Sequence, residues 1–263
     1  MSAKLIGEEV RRRTAGPLGT IDKSQRKAAK VVGFTYLFAM ATAVFADSYV
    51  RRRLIIPDNA AETAQKIMAH EQLWRIGIAS NLLCYATDIA LIAALYVVLR
   101  QVNDNLARFA VFVRLVETSV FVVITLHDFD VLKILSGADY LRVLEASRLP
   151  ALALLSVTAY GDRYNAGLVI FGLGSAMFSY LWFKSGYVPR VLAAWGVFSS
   201  LLVATGSFAL IVFPGLEKVL LPGYYVPIFI FEVVMGFWLL LKGLRPSGAV
   251  ESNRQSKASR VAV

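Results

Sequence analysis

Three carboxylic acids interrupt otherwise apolar stretches of the chain: Asp88, Glu117 and Glu232. Acids inside membrane-spanning helices are costly, usually face the bundle interior or water, and mark proton, ion or ligand paths. Arg114 stands one helical turn before Glu117 and shares its face. The neighbours continue at helical spacing. Gly77, Asn81, Tyr85 and Asp88 form one stripe, Arg114, Glu117, Phe121, Thr125 and Asp128 a second, and Tyr225, Ile228, Glu232 and Gly236 a third. The candidate polar cluster is therefore Asp88, Arg114, Glu117 and Glu232, with Asn81 and Tyr85 beside them. Three acids against one base leave surplus negative charge, so in low dielectric one carboxyl is expected to hold or share a proton. Helical side chains lean toward the N-terminus. That lean points Arg114 to Glu117 or Glu232 and makes Asp88 the expected proton carrier. Two readings fit: a structural clamp pinning three helices, or a proton or cation relay or ligand site.

A second polar group sits near the ends of the apolar stretches: Asp47, Arg75, His127, Asp128, Asp130, Asp162 and Arg163. His127-Asp128-x-Asp130, with His70 or Glu71, offers the nitrogen and oxygen donors that zinc or manganese take. The spacing fixes no coordination geometry, and charges at a water boundary form rim ion pairs, so no metal and no cofactor is assigned. The single cysteine, Cys84, excludes an intramolecular disulfide and a Cys-based zinc cage, and two histidines exclude a His-rich centre. VIFGLGSAMF lacks the preceding strand and the following Lys-Ser/Thr of a phosphate loop. No Ser-His-acid arrangement is visible.

The elements that must position these residues are set by composition. Of 263 residues 57% are hydrophobic and 17% charged, against roughly 25% charged in an ordinary soluble domain. That excludes a soluble globular protein and disorder as the main state. A spanning helix needs about 20 mostly apolar residues. Six segments qualify: 31–50, 74–99, 107–130, 163–183, 190–213 and 222–243. Their apolar runs are continuous rather than alternating, so they are helices and not barrel strands. The fold class is all-α: a polytopic transmembrane bundle of about six spanning helices. Residues 25–245 form its single membrane domain. Gly196, Ser200 and Ala204 make a small-residue packing row, and Ala39, Ala43 and Asp47 follow the same spacing.

Lys and Arg in the flanks orient such a bundle. Seventeen of the 28 fall on the side of the two termini and eight on the other, which predicts both termini in the cytoplasm. The run Arg51-Arg52-Arg53 opposes this locally. The 31–46 apolar run is longer, and begins later, than in a cleaved signal. The tails 1–24 and 246–263 are basic and rich in Ser and Gly, so they read as disordered cytoplasmic segments. The net charge of +10 suits anionic lipid headgroups at the cytoplasmic face; no nucleic-acid motif accompanies it. In the 51–73 loop, Pro57-Asp58-Asn59 stops one helix and caps another, AAETAQKIMAHEQ, a short interfacial helix on the outer face. In 136–162, Ser136-Gly137 breaks a helix. The leucines that follow either pack over the bundle mouth or extend the next helix outward.

RKAAKVVGFTYL, IPDNAAETAQKI, WRIGIASNLL, LSGADYL, VIFGLGSAMFSYLWFKSGYVPRVL and FWLLLKG stand in this order over 25–243. Together they resemble a bacterial family of multi-spanning integral membrane proteins catalogued as a domain of unknown function. Ala193 stands where the family pattern has Gly, which touches only helix packing. The resemblance implies a polytopic bacterial inner-membrane protein and supplies no activity and no catalytic residue.

Three functions compete. One is a non-enzymatic, transport-like module whose midplane acids handle a proton or small ligand, with a homo-oligomer completing the pathway. Another is an accessory or regulatory membrane protein whose polar core is structural. The third, an intramembrane enzyme on a lipid-like substrate, lacks a nucleophile–base pair. A cavity touching Asp88 and Glu232 favours the first; a dry, fully paired cluster favours the second.

Overall fold

A computed structural model of the protein describes residues 21–136, 145–220 and 223–245. The tail segments 1–20 and 246–263, the Gly137 break and Leu141 and Leu144 lie outside them. Lys23 and Ser24, read as tail, are already helical.

Helix α1 spans Lys23–Val44 and runs on through a π-helical stretch, Phe45–Arg51, into the turn Arg52–Leu54. Asp22 starts it: its carboxylate accepts from Gln25 N at 2.6 Å, and the Gln25 side chain accepts from Asp22 N at 3.2 Å. This reciprocal cap satisfies two orphan donors. The Gln25 amide also donates to Val98 O at 3.1 Å, tying the start of α1 to the last turn of the Glu71–Leu99 helix.

The short helix α2, Ala60–Ala69, is capped by Asn59, whose side chain accepts from Glu62 N at 3.0 Å. It ends at His70, so Glu71 and Gln72 belong to the next helix, α3, Glu71–Leu99. Helix α4, Asp104–Leu135, is capped by Asn103. Helix α5, Leu149–Ser185, carries a proline in its first turn and ends at Gly186, whose φ of 67° is easy only for glycine. Helix α6, Arg190–Val212, follows Pro189; α7, Val226–Leu241, again has a proline in its first turn.

Five helical stretches are long and apolar enough to cross a membrane: Lys23–Leu54, α3, α4, α5 and α6. The shorter α7 is apolar and completes about six spans. Large apolar side chains stand exposed around the outside, Phe112 at 65% and Phe208 at 59% among them. Water would penalise such a belt; lipid does not.

At 1.5 Å per residue the 37 residues of α5 reach about 55 Å, well beyond a hydrocarbon core of about 30 Å. The excess is the 149–162 stretch. Both expectations for it hold: it extends α5 as helix, and through Ala153 and Val157 it packs into the core at that end of the bundle, with α2 against α5. Gly161 and Asp162 did not end the helix because both are exposed and need no cap there.

The helices close into a ring in the order α1, α3, α4, α5, α6, α7, with α7 back against α1. Small residues set the closest approaches. A Cβ on Gly33 would lie 2.8 Å from Gly236 O, where α1 meets α7. One on Gly172 would lie 2.5 Å from Ser200 O and 2.7 Å from Ala204 N, where α5 meets α6. Gly196, Ser200 and Ala204 are thus a helix-packing row, with Ser200 fully buried. Ala39 and Ala43 pack against a core that includes Cys84, Tyr85 and Phe121, and with Asp47 they also line the interior space described below.

Both ends of the described chain lie at one end of the ring. Arg245 N donates to Tyr187 O in the α5–α6 turn at 2.8 Å, and Gln25 reaches Val98 nearby. That end is filled by an apolar core including Leu95, Leu99, Phe178, Trp182, Met235 and Leu239. A second core, with Val50, Leu54, Ile67, Trp74 and Val131, fills the opposite end.

Gly172→Val is expected to cost roughly 1–3 kcal/mol by overpacking against the α6 backbone. Ser200→Leu should act in the same direction. Gly161→Ala meets nothing within 4 Å and should hold or raise stability by about 0.5–1 kcal/mol. Thermal melting in detergent checks all three; equal melting of Gly172→Val and the parent would refute the packing.

Candidate functional site

Between the two apolar cores lies a cavity of about 650 Å³. Five helices supply its walls: α1, α3, α4, α5 and α7. Asn81, Tyr85 and Asp88 come from α3, Arg114, Glu117 and Phe121 from α4, and Tyr225, Ile228 and Glu232 from α7. All six residues of the candidate polar cluster therefore meet at one space. Measured along their helices, Asp88 is 11 residues from Leu99, Glu117 is 13 from Asp104, and Glu232 is 9 from Leu241. At 1.5 Å per residue these positions lie about 14–20 Å from the end that carries the termini.

The charges are not equally committed. Arg114 and Glu117 are buried and pair at 3.4 Å along α4. Arg114 Nη1 donates to Ser175 Oγ at 3.3 Å, and the guanidinium carbon lies 4.4 Å from the centre of the Phe171 ring. Gly174 makes the slot for this side chain: a Cβ there would lie 2.8 Å from Arg114 Cγ. Thr118 Oγ1 donates weakly to Glu117 at 3.5 Å. Asp88 and Glu232, by contrast, are half-buried and make no hydrogen bond or ion pair among the described residues. Their remaining accessible surface faces the cavity.

The cavity runs from these acids to Asp47, Ser48, Arg51 and Arg52, reaching the surface beside the exposed Ser48 and Arg52. Arg51 dominates this mouth. Its Nη1 donates to both Asp128 carboxylate oxygens at 3.0 Å. Its guanidinium carbon lies 3.7 Å from the centre of the Tyr160 ring. Trp74 Nε1 donates to Asp128 O at 3.1 Å, and Tyr160 OH donates to Asp47 at 3.4 Å. A π-helical stretch carries Asp47 and Arg51; such stretches recur at functional positions. A chain of ring contacts links the mouth to the interior: Tyr160–Tyr164 at 5.4 Å, Tyr164–Phe121 at 4.9 Å and Phe121–Tyr85 at 5.7 Å.

Of the expected outer group, only Asp47 and Asp128 converge. Arg75 pairs with Glu71 at 2.7 Å on its own helix and is exposed. His127 Nδ1 bonds Val123 O at 2.8 Å, also within its helix. Asp130 pairs with Lys133 at 3.5 Å. Asp162 is exposed, and Arg163 makes no hydrogen bond or ion pair among the described residues. The reason is helical phase: consecutive residues of one helix end point in different directions, and Arg75, His127 and Asp130 each find a partner one turn away on their own helix. No three His, Cys, Asp or Glu side chains converge into a metal-binding set among the described residues.

Four contributors lie outside the residues the sequence singles out: Arg51, Tyr160, Ser175 and Phe171. Arg51 stands four residues after Asp47, one turn away, and that spacing was the signal. Tyr160 was assigned to a connecting stretch. Ser175 and Phe171 lie in the glycine-bearing stretch of α5 and carry no signal by themselves.

Arg114→Ala should cost roughly 3–5 kcal/mol, because it strips Glu117 of its partner in a buried setting. Asp88→Asn removes no pair and should change stability little. Chemical denaturation in detergent micelles reads both; a larger loss for Asp88→Asn than for Arg114→Ala would reverse the assignment.

The sequence matches the family model described as a domain of unknown function, DUF4386, over residues 31–243. A relative described as an uncharacterized protein of Archaeoglobus fulgidus is 26% identical over 171 residues, covering 63% of this chain and 82% of its own. No solved structure matches. With the match extending over all six apolar helices and every wall of the cavity, the chain belongs to the DUF4386 family of unknown function.

Proposed function

We propose that this is a non-enzymatic integral protein of the bacterial inner membrane that takes a proton or small ligand into its polar midplane, in the manner of a transporter. One observation carries the reading: a cavity of about 650 Å³ joins the uncommitted acids Asp88 and Glu232 to the mouth at Asp47 and Arg51. A structural clamp accounts for Arg114, Glu117 and Ser175, which satisfy one another. It does not account for two carboxylates that face open space, since buried charges without partners lower stability. Unpaired intramembrane acids are retained where a proton or ligand uses them. Neither histidine is among the cavity's lining residues, which leaves a nucleophile there without its usual base.

Both chain ends are proposed to face the cytoplasm, on the surplus of Lys and Arg beside them. The mouth at Arg51 then opens outward, and the basic flanks meet anionic headgroups inside. A homo-oligomer would complete a pathway that a six-helix subunit only begins.

A hydrophobic carbodiimide tests the acids. It attacks protonated carboxyls in apolar surroundings. Peptide mass spectrometry should find adducts on Asp88 or Glu232 in the folded protein, and none on Asp88→Asn or Glu232→Gln at the altered position. Complete protection of both carboxyls would overturn the reading in favour of a closed structural core. Orientation is read separately: a reporter active only inside the cell should work fused after Val263 and fail within residues 58–70, and the opposite pattern would invert the topology.

A further inference from the structure

We infer that the ligand of this cavity is a monovalent organic cation with an apolar, ring-sized body, such as a quaternary ammonium or hydrophobic amine. This rests on the cavity being a ligand site, as proposed above.

Charge comes first. The acids lining the space are Asp47, Asp88, Glu117 and Glu232, and the bases are Arg51, Arg52 and Arg114. Arg51 is held by Asp128, Arg114 by Glu117, and Arg52 is exposed at the mouth. What remains deep inside is acidic: Asp88 and Glu232, without partners among the described residues. A cation entering there meets carboxyls that no base has neutralised and displaces the proton they hold, in a setting where charge attraction is strong. An anion would meet only the Arg114 donors that Glu117 and Ser175 leave open, with Asp88, Glu117 and Glu232 around them.

The walls narrow the class further. Tyr36, Tyr85, Phe121, Tyr160, Tyr164 and Phe171 all line the cavity. Aromatic faces attract cations and, together, select those whose charge is spread and weakly hydrated. Hard metal ions need several oxygen ligands at short range. No three candidate ligands converge among the described residues. A proton path alone needs a file of water, whereas about 650 Å³ falls within the range of small-molecule pockets.

A further observation points to an occupant. Asn81 is 3% exposed and lines the cavity, yet its amide makes no hydrogen bond among the described residues. Tyr36, 8% exposed, lines it too, and its hydroxyl is likewise without a partner there. Buried polar groups in proteins are satisfied, by protein, water or ligand. Both groups look onto the space between the acids and the aromatic wall, where a polar ligand or its water would complete them. The mouth supplies a first contact: Asp47 beside Tyr160 repeats, at the surface, the acid-and-ring arrangement found inside.

Two ions of the same shape and opposite charge test this directly. Purified full-length protein in detergent is titrated by calorimetry with tetraphenylphosphonium and, separately, with tetraphenylborate. The cation should bind saturably and about tenfold or more tighter than the anion. The double variant Asp88→Asn/Glu232→Gln should lose about tenfold in cation affinity while melting near the parent temperature. Phe121→Leu, which keeps bulk but removes the ring, should weaken the cation by a few-fold and leave the anion unchanged. Equal affinity for both ions, no saturable cation binding, or cation binding indifferent to the double variant would each overturn the inference. If Asp88 or Glu232 still takes the carbodiimide in that event, only the ligand class falls. If both carboxyls are also protected, the ligand-site reading falls with it.

Discussion

One buried guanidinium sets the terms for the rest of the molecule. Arg114 sits in the middle of a helix ring where its charge must be paired, and its Nη1 finds partners on one side: Glu117 one turn along and Ser175 across on α5, with the face of Phe171 against the guanidinium. Held there, it forms no ion pair with Asp88 or Glu232. Asp88 and Glu232 are therefore left facing one another's space rather than a base. The close approach of α5 that makes this possible depends on Gly174, because any larger residue would occupy the path of the Arg114 stem. Electrostatics and helix packing are the same fact here.

The second governing feature is asymmetry. Apolar cores fill both ends of the ring, but the one beside the chain ends is continuous from Val32 to Leu239, with Trp182 and Leu181 fully buried in it. The cavity stops above it and reaches the surface toward Ser48 and Arg52, and again between α1 and α7, where the exposed Val44 and Phe229 line it. The π-helical stretch Phe45–Arg51 lies on the first of these routes and turns Asp47 and Arg51 toward α5. Helix α5 answers with Tyr160, on the roughly four turns, residues 149–162, by which it outgrows the hydrocarbon core. A cavity closed on the side of the chain ends and open elsewhere is compatible with the transport proposed above.

The fold was legible because its signals were strong. Continuous apolar runs specified all six helices, and the helical period placed Asp88, Glu117 and Glu232 on faces that meet. What failed to show was register at the ends. The 163–183 segment began 14 residues too late, since Tyr160-Gly161-Asp162-Arg163 resembles a wet terminus when read as composition; exposure of Gly161 and Asp162 on an uninterrupted helix is a tertiary outcome. The outer polar group failed for the opposite reason. His127, Asp128 and Asp130 are adjacent in sequence, but successive helical residues diverge by about 100°, so only Asp128 turns inward to Arg51. Arg51 itself reads as a flanking charge: its one-turn spacing from Asp47 is a weak signal beside the run Arg51-Arg52-Arg53, which resembles arginines that snorkel outward.

Whether the space beside the acids holds water is the point on which function rests, and hydroxyl-radical footprinting of the protein in lipid nanodiscs measures it. Radicals generated by radiolysis oxidise side chains that touch water, including water held inside a protein. Tyr36 and Tyr85, at 8% and 7% exposure, border the cavity, whereas Trp182 and Met235, both at 0%, lie in the closed core. A hydrated cavity predicts oxidation of Tyr36 and Tyr85 well above that of Trp182 and Met235. Equal protection of all four would mean a dry interior, and would leave Asp88 and Glu232 with a purely structural role.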